Sequence, residues 1–179
     1  MILLSNHLLT LPEFQNIKDV VIRINMAWVK DIEELHKFLN IDYDVFLDYP
    51  KGRTKPPVPI LDMGDAIDII KEYPNVKYFA LSNIEDVSEV SLVCEMLPEH
   101  IKFVPKIETL RGVLNLEKIF KTKLVENIML DTEDLYIDVH HDVELYVQLK
   151  ERVESVCFMY KVNLFNLCGV VFDEKSYNM

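Results

Sequence analysis

The sequence predicts an α/β protein built as a short or incomplete barrel of mostly parallel strands with covering helices. Short apolar runs rich in β-branched residues alternate with segments of helical periodicity, which is the pattern of a parallel sheet. Runs such as FVPKI and VIRIN are apolar without clean alternation, as expected of strands covered on both faces. The 179 residues hold about six or seven strands, whereas a barrel of eight units usually takes about 250 residues.

The elements follow one another without a linker, so residues 1–179 are expected to form a single domain. MILLSNHLL at the amino terminus is either a first strand or an amphipathic lead-in, and Asp62 is expected to cap a helix. Strands are predicted over residues 19–28, 42–49, 76–83, 101–107 and 126–130, and one extended or two short strands over 162–173. Helices are predicted over residues 30–40, 61–73, 84–100 and 142–161, with a short helix between the strands 101–107 and 126–130.

Residues 50–59, PKGRTKPPVP, contain four prolines and a glycine, which predicts a loop. Lys51, Arg53 and Lys55 make this loop basic in an otherwise acidic chain. Two interpretations are open. The loop is either a solvated surface segment or a basic edge that gathers an anionic ligand.

The composition limits the classes of partner and the compartments that we expect for this protein. A formal net charge of −11 argues against nucleic acid and against an anionic membrane surface, because both favour basic patches. The apolar runs are short, and the amino terminus shows neither a basic leader nor a cleavage site, so we expect a cytoplasmic protein. Cys94, Cys157 and Cys168 lie in apolar contexts without C-x-x-C spacing, which favours free thiols in a reducing compartment.

Acidic residues follow two predicted strands directly. Glu108 comes after IKFVPKI, and Asp131, Glu133 and Asp134 come after ENIML. Because the carboxyl ends of parallel strands share one rim, we expect Glu108 and Asp134 to meet Lys106 there, around a divalent cation and an anionic ligand.

The strings PKIETLRGVLNLEKI and VENIMLDTEDLYID resemble the citrate lyase beta-subunit / HpcH-HpaI aldolase-like family of the phosphoenolpyruvate/pyruvate-binding TIM barrels. That family has an I-E-T, a G-V-L-N and a later E-D-L at this spacing. The resemblance covers most of residues 19–167 and is strongest over 101–135. It implies a TIM-barrel-like fold and Mg²⁺-dependent cleavage or formation of carbon-carbon bonds next to a carboxylate.

Pyruvate kinase offers a second resemblance, through RINMAW, FLDYPKG and KIE. Its serine after R-x-N-x is Ala27 here, and its A-R-G before the metal-site aspartate is DTE. The threonine of its later A-T-Q has no counterpart, and the chain leaves no room for a nucleotide-covering lid. ATP-linked phosphoryl transfer is therefore disfavoured.

The resemblance implies a role for five residues. Glu108 and Asp134 correspond to the carboxylates that hold Mg²⁺, which prefers hard oxygen ligands. Arg23 corresponds to the arginine that binds the substrate carboxylate, with Asp48 as a second substrate-binding residue, and Lys106 corresponds to the catalytic lysine of pyruvate kinase. At one further position, Asp131, the lyase family has a glycine, so the resemblance implies a charged side chain in the substrate's space.

Ordinary structural roles are the alternative for the same residues. Glu108 and Asp134 would then be strand-end carboxylates paired with Lys106 and Arg111, and Arg23 a salt-bridge partner of Asp48. The adjacent His140 and His141 point in different directions on any regular element, so we predict a solvated turn there rather than a metal site.

Two functions follow. The first is a Mg²⁺-dependent carbon-carbon lyase or aldolase acting on a small oxo-acid or acyl-CoA-type substrate. The alternative is a catalytically degenerate barrel that serves as a binding or assembly subunit. In both cases an incomplete barrel exposes a sheet edge or an apolar face, so we expect a homo-oligomer that covers it.

Overall fold

The structure is a computed structural model that describes residues 2–7 and 20–166. Seven strands form one sheet in sequential order, and every neighbouring pair is parallel. The strands are β1 (Ile2–Ser5), β2 (Val20–Asn25), β3 (Asp44–Tyr49), β4 (Val76–Leu81), β5 (Lys102–Ile107), β6 (Asn127–Leu130) and β7 (Asn163–Asn166). The predicted α/β class and the parallel sheet are confirmed.

Six α-helices connect the strands within these residues. They are α1 (Ile32–Leu39), α2 (Met63–Ile70), α3 (Val87–Met96), α4 (Leu110–Lys121), α5 (Thr132–Asp138) and α6 (Val143–Tyr160). Asp62 caps α2 as predicted, since its side chain accepts a hydrogen bond from the Asp65 N–H at 2.8 Å. The helix over residues 132–138 was not predicted from the sequence. The strand predicted over residues 19–28 is too long, because β2 ends at Asn25 and a 3₁₀ turn follows at Met26–Trp28.

The sheet curls into an incomplete barrel. Phe165 on β7 lies edge-on to Phe46 on β3, with ring centroids 6.4 Å apart, and to Tyr78 on β4 at 6.3 Å. Four strand spacings separate β3 from β7, which is about 19 Å in a flat sheet. The two rings therefore meet across a concave inner face. Within the described residues β1 and β7 end the strand order, so the barrel is open between them.

The main core lies on the outer, convex face of the sheet. Alternate strand residues such as Ile22, Leu47 and Phe79 are fully buried there against the helices. The inner face holds a smaller apolar cluster, in which the strands contribute one or two side chains each. Its buried members are Val21, Phe46, Ala80, Val104 and Met129.

The structure also tests the predictions made for the cysteines and for the pair of histidines. Cys94 is half-buried, Cys157 is buried, and both are free thiols as expected; Cys168 lies outside the described residues, as does the predicted strand beyond Asn166. His140 and His141 are exposed in the turn between α5 and α6, as predicted. Among the described residues, no helix combines the length and the apolarity that crossing a membrane requires.

Gly112 allows α4, the helix that follows β5, to pack closely against the backbone at Ile84. A Cβ atom at this position would lie 2.8 Å from the backbone oxygen of Ile84, which is closer than contact distance. We predict that Gly112→Ala lowers the free energy of unfolding by about 1–2 kcal/mol, because overpacking outweighs the gain in helix propensity. The measurement is urea denaturation of the purified variants.

Gly64→Ala on α2 is the matched control. Its Cβ atom would lie 3.3 Å from the carboxylate of Asp62, the end of a side chain that can shift. We expect this variant to be unchanged or up to about 1 kcal/mol more stable. Equal loss of stability in both variants would contradict the role assigned to Gly112.

Candidate metal centre at the carboxyl ends of the strands

Polar side chains occupy the inner face of the sheet just beyond its apolar cluster. Successive side chains of a strand point to opposite faces, so residues two apart share a face. For each strand from β2 to β6, the residue two positions after the inner apolar residue is polar. These polar residues are Arg23, Asp48, Ser82, Lys106 and Asp131.

Arg23 and Asp48 form an ion pair between β2 and β3. The Nε atom of Arg23 donates to Asp48 Oδ2 at 3.0 Å, and its Nη2 atom contacts the same oxygen. The Asp48 side chain is 1% exposed and that of Arg23 is 22% exposed. Asp48 is therefore almost inaccessible to solvent, and Nη1 of Arg23 has no hydrogen bond among the described residues.

Lys106 is the centre of the buried charges. Its Nζ atom donates to Ser82 Oγ at 3.1 Å and lies 2.9 Å from Glu108 Oε1, 3.6 Å from Asp48 Oδ1 and 3.9 Å from Asp131 Oδ2. The side chain is only 7% exposed. A single ammonium group thus faces three carboxylates from three different strands or strand ends.

Glu108, Asp131 and Asp134 come together as a carboxylate trio. One oxygen from each lies within 4.8 Å of the others, with Glu108 buried, Asp131 half-buried and Asp134 exposed. Glu108 Oε2 accepts a hydrogen bond from the Asn83 N–H at 2.8 Å, which fixes the carboxylate. Glu108 Oε1 is buried, and its polar contact among the described residues is the ammonium group of Lys106 at 2.9 Å.

The inner charge network, meaning the carboxylates and cations around Lys106, carries an excess of negative charge. It consists of Asp48, Glu108, Asp131 and Asp134 against Arg23 and Lys106. Four negative charges and two positive charges leave a net charge of −2. Carboxylates this close repel one another unless cations compensate them, and of the four only Asp48 and Glu108 are buried.

The pKa values of the network reflect this excess. Burial raises the pKa of Glu108, and the opposing effect of Lys106 does not cancel it. Burial and the neighbouring Asp131 carboxylate likewise raise the pKa of Asp134. Burial alone would lower the pKa of Lys106, but the Asp48 and Glu108 carboxylates together raise it above its ordinary value.

The basic loop of residues 50–59 lines the same cavity as the network. This mouth cavity has a volume of about 270 Å³, and its lining includes Arg53 and Lys55 of the loop as well as the trio. Lys51 has a different role, because its Nζ atom contacts Glu89 and donates to the Asn83 carbonyl oxygen at 2.6 Å. The loop is thereby fixed to the end of β4.

The structure brings together all five residues singled out by the resemblance, Arg23, Asp48, Lys106, Glu108 and Asp134. Glu133 is exposed and outside the trio, and Arg111 pairs with Glu85 and Asp86 rather than with the predicted metal ligands. Asp131 has two roles: it lies in the trio, and it caps α5 by accepting from the Asp134 N–H at 3.3 Å.

Sequence reasoning missed two residues that hold the network in place. Ser82 hydrogen-bonds Lys106, and the backbone of Asn83 hydrogen-bonds Glu108. Both follow β4 directly, as the predicted acids follow β5 and β6. Asn83 has a positive φ of 54°, a conformation that asparagine tolerates better than most residues. Polar residues directly after a buried strand are the signal that would have found them.

Comparison by sequence alone finds no match, either to a protein-family model or to a curated protein. Comparison of the fold does find similar structures. RipC from Yersinia pestis aligns with a TM-score of 0.62 at 15% identity, over 88% of this chain and 74% of RipC. An HpcH/HpaI aldolase/citrate lyase family protein from Burkholderia cenocepacia J2315 aligns with a TM-score of 0.59 at 12% identity, over 83% of this chain and 71% of that one.

A third similar structure was solved with ligands. It is the citrate lyase beta subunit from M. tuberculosis complexed with oxaloacetate and magnesium, with a TM-score of 0.57 at 12% identity. The alignment covers 82% of this chain and 67% of the subunit. Identities this low establish the fold alone. In fold, the chain resembles the citrate lyase beta-subunit and HpcH/HpaI aldolase structures.

Proposed function

We propose that this protein is a Mg²⁺-dependent carbon-carbon lyase or aldolase acting on a small oxo-acid. The observation that carries the proposal is the carboxylate trio of Glu108, Asp131 and Asp134, which stands beside Arg23 and Lys106 at the rim of an incomplete barrel. The rim of a parallel barrel at the carboxyl ends of its strands is where barrel enzymes hold their active sites. The fold shared with citrate lyase-like structures supports the same reading.

The residues present fit a magnesium ion. The trio offers only carboxylate oxygens, which are the hard ligands that Mg²⁺ prefers. The inner charge network has a net charge of −2 that one divalent cation would neutralise, and Glu108 Oε1 is a buried carboxylate oxygen whose contact is the Lys106 ammonium group. Glu108 and Asp134 would hold the ion, with Asp131 as a third oxygen donor. When bound, the ion supplies Lewis-acid polarisation of the substrate's carbonyl and carboxylate oxygens.

Arg23 and Lys106 have distinct roles in this proposal. Nη1 of Arg23 binds the substrate carboxylate, while the ion pair with Asp48 orients the guanidinium group. The raised pKa of Lys106 keeps its amine protonated, so Lys106 acts as a fixed positive charge near the substrate oxygen on which negative charge develops. A Schiff-base mechanism would need a lowered pKa instead.

The first test measures metal binding and enolisation separately. Mn²⁺ and Mg²⁺ are titrated into the protein by calorimetry, with and without pyruvate or oxaloacetate. Exchange of the pyruvate methyl protons with deuterated solvent is then followed by ¹H NMR. We expect metal binding and a metal-dependent exchange rate that is abolished by EDTA. Absence of metal binding by the wild type would overturn the proposal.

The clustering of Glu108, Asp131 and Asp134 does not favour the alternative of a catalytically degenerate barrel. An acyl-CoA-type substrate and a cytoplasmic location stay predictions. The homo-oligomer also stays a prediction. Phe158 and Met159 at the end of α6 are 89% and 68% exposed, and an apolar contact surface requires such exposed side chains.

A further inference from the structure

Arg53 is unusual among the arginines of this chain. All four lie in the described residues, and Arg23, Arg111 and Arg152 each form an ion pair with a carboxylate. Arg53 forms none there. Its Nε atom donates to the Pro57 carbonyl oxygen at 2.7 Å, which orients the guanidinium group and leaves Nη1 and Nη2 without a partner among the described residues.

Lys55 accompanies Arg53 on the same wall of the mouth cavity. It is exposed and has neither a hydrogen bond nor an ion pair within the described part of the chain. Because Lys51 fixes the base of the loop to Glu89 and to the Asn83 carbonyl, the two cations are held over the cavity. An acidic chain thus places two cations that have no ion pair among the described residues at the cavity that its carboxylate trio also lines.

The sum of the charges around the mouth cavity indicates which kind of ligand Arg53 and Lys55 would bind. In the absence of metal, Arg53 and Lys55 offset the net charge of −2 on the inner charge network, and both act on the nearby Asp134 carboxylate. A divalent ion would neutralise that network by itself. Two positive charges on the loop would then have no counterpart, and a ligand with two negative charges would restore the balance.

We propose that Arg53 and Lys55 form a second anion subsite, and that the substrate of the proposed metal centre is a small dianion. One carboxylate binds near Arg23 and the metal ligands. A second carboxylate or phosphate, at the other end of the molecule, binds the free guanidinium nitrogens of Arg53 and the ammonium group of Lys55. The cavity of about 270 Å³ lies just below the usual range of pockets for drug-sized ligands, about 300–1,000 Å³, so the substrate is short.

The inference rests on the proposed function, because the charge balance includes the metal. Its test uses three ligands that share a 2-oxo-acid head and differ at the far end. They are 2-oxobutyrate with a methyl group, freshly prepared oxaloacetate with a carboxylate, and 3-phosphonopyruvate with a phosphonate. Each is titrated by calorimetry into Mn²⁺-saturated protein at constant ionic strength.

We expect the wild type to bind at least one of the two dianions about tenfold or more tightly than 2-oxobutyrate. The stronger of the two identifies the anionic group. In the double variant Arg53→Gln/Lys55→Gln this preference should fall to about twofold or less, while Mn²⁺ affinity is unchanged or higher because two neighbouring positive charges are removed. Both side chains are exposed, so the variant should melt at the wild-type temperature.

The double variant Lys37→Gln/Lys118→Gln is the matched control. It removes the same charge from exposed positions on α1 and α4, away from the mouth cavity, and should keep the wild-type preference. Equal wild-type affinity for the three ligands, or a preference that survives in the loop variant or disappears equally in the control, would overturn the second anion subsite and leave the metal centre standing. Failure of the wild type to bind Mn²⁺ would instead overturn the proposed function and, with it, this inference.

Discussion

Replacement of Glu108 by glutamine is expected to reduce Mn²⁺ affinity by about 100-fold or more. Loss of an outer partner of a metal site already costs about 10–100-fold, and here a directly ligating carboxylate is neutralised. Glutamine has the same shape, and its amide oxygen still accepts the hydrogen bond from the Asn83 N–H. Metal-dependent exchange of the pyruvate methyl protons should disappear together with binding.

The same variant should not be less stable without metal. Glu108 is buried in a network that already has too many negative charges, and burial raises its pKa, so the ionised side chain is itself unfavourable. Removing one negative charge lessens the repulsion from Asp131. The variant also loses the ion pair with Lys106 at 2.9 Å, so we expect a thermal midpoint close to that of the wild type in the presence of EDTA.

Glu133→Gln is the control for this experiment. Glu133 lies on α5 between Asp131 and Asp134, but it is exposed and outside the trio. The Glu133→Gln variant removes one negative charge, as Glu108→Gln does, but from outside the trio. It should leave Mn²⁺ affinity within about threefold of the wild type, a difference under 1 kcal/mol. If Glu108→Gln binds Mn²⁺ as well as Glu133→Gln does, the trio is not the metal site.

Replacement of Lys106 by methionine is expected to lower the free energy of unfolding by about 3–5 kcal/mol in the absence of metal. Removing one partner of a buried ion pair costs this much, because the other partner is left buried and uncompensated. Here Asp48 and Glu108 would lose their ammonium neighbour. Since the pKa of Lys106 is raised, its contribution is fully present at neutral pH and is lost only as the pH rises through that raised pKa.

Magnesium should restore part of this loss. The inner charge network of the variant has a net charge of −3 instead of −2, so the divalent ion binds a more negative site and stabilises the folded state by mass action. The measurement is urea denaturation with EDTA and with saturating Mg²⁺. We expect the added stability from Mg²⁺ to be larger in the variant than in the wild type.

Lys102→Met provides the comparison on the same strand. Lys102 pairs with Glu126 at 2.7 Å, but both side chains are more than half exposed, and such surface pairs contribute about 0–1 kcal/mol. A similar loss in Lys102→Met and Lys106→Met would show that Lys106 is not the central counter-ion of the network.

Much of the fold could be predicted because its cause is local. Apolar β-branched runs alternate with amphipathic segments, and this pattern yields parallel strands with covering helices whatever the tertiary details. Asp62 was recognised as a cap because capping needs only a side-chain oxygen and the next turn of backbone. Helix α5 was missed because TEDLYID is short and acidic, and Asp131 was considered only as a member of the site.

The candidate site could be predicted only in part. The positions of Glu108 and Asp134 after their strands, together with the family resemblance, singled them out. The family resemblance implied that Asp131 occupies the substrate's space, and in the structure Asp131 lines the mouth cavity, where its carboxylate also lies among the possible ligands. Ser82 and Asn83 were missed because their contacts with Lys106 and Glu108 join residues about 25 positions apart in sequence.

The sequence by itself determined the order of the elements, the parallel sheet and the acids directly after the strands, since periodicity and strand ends depend on neighbouring residues. The family resemblance selected Glu108 and Asp134 among those acids. Only the tertiary structure showed which residues meet across the curled sheet, as Phe46 and Phe165 do. Folding also brings Asp48 within 3.6 Å of Lys106, two strands away, and places the loop cations and the trio around one cavity. Charge balance is a sum over groups that are distant in sequence, so it exists only once the chain has folded.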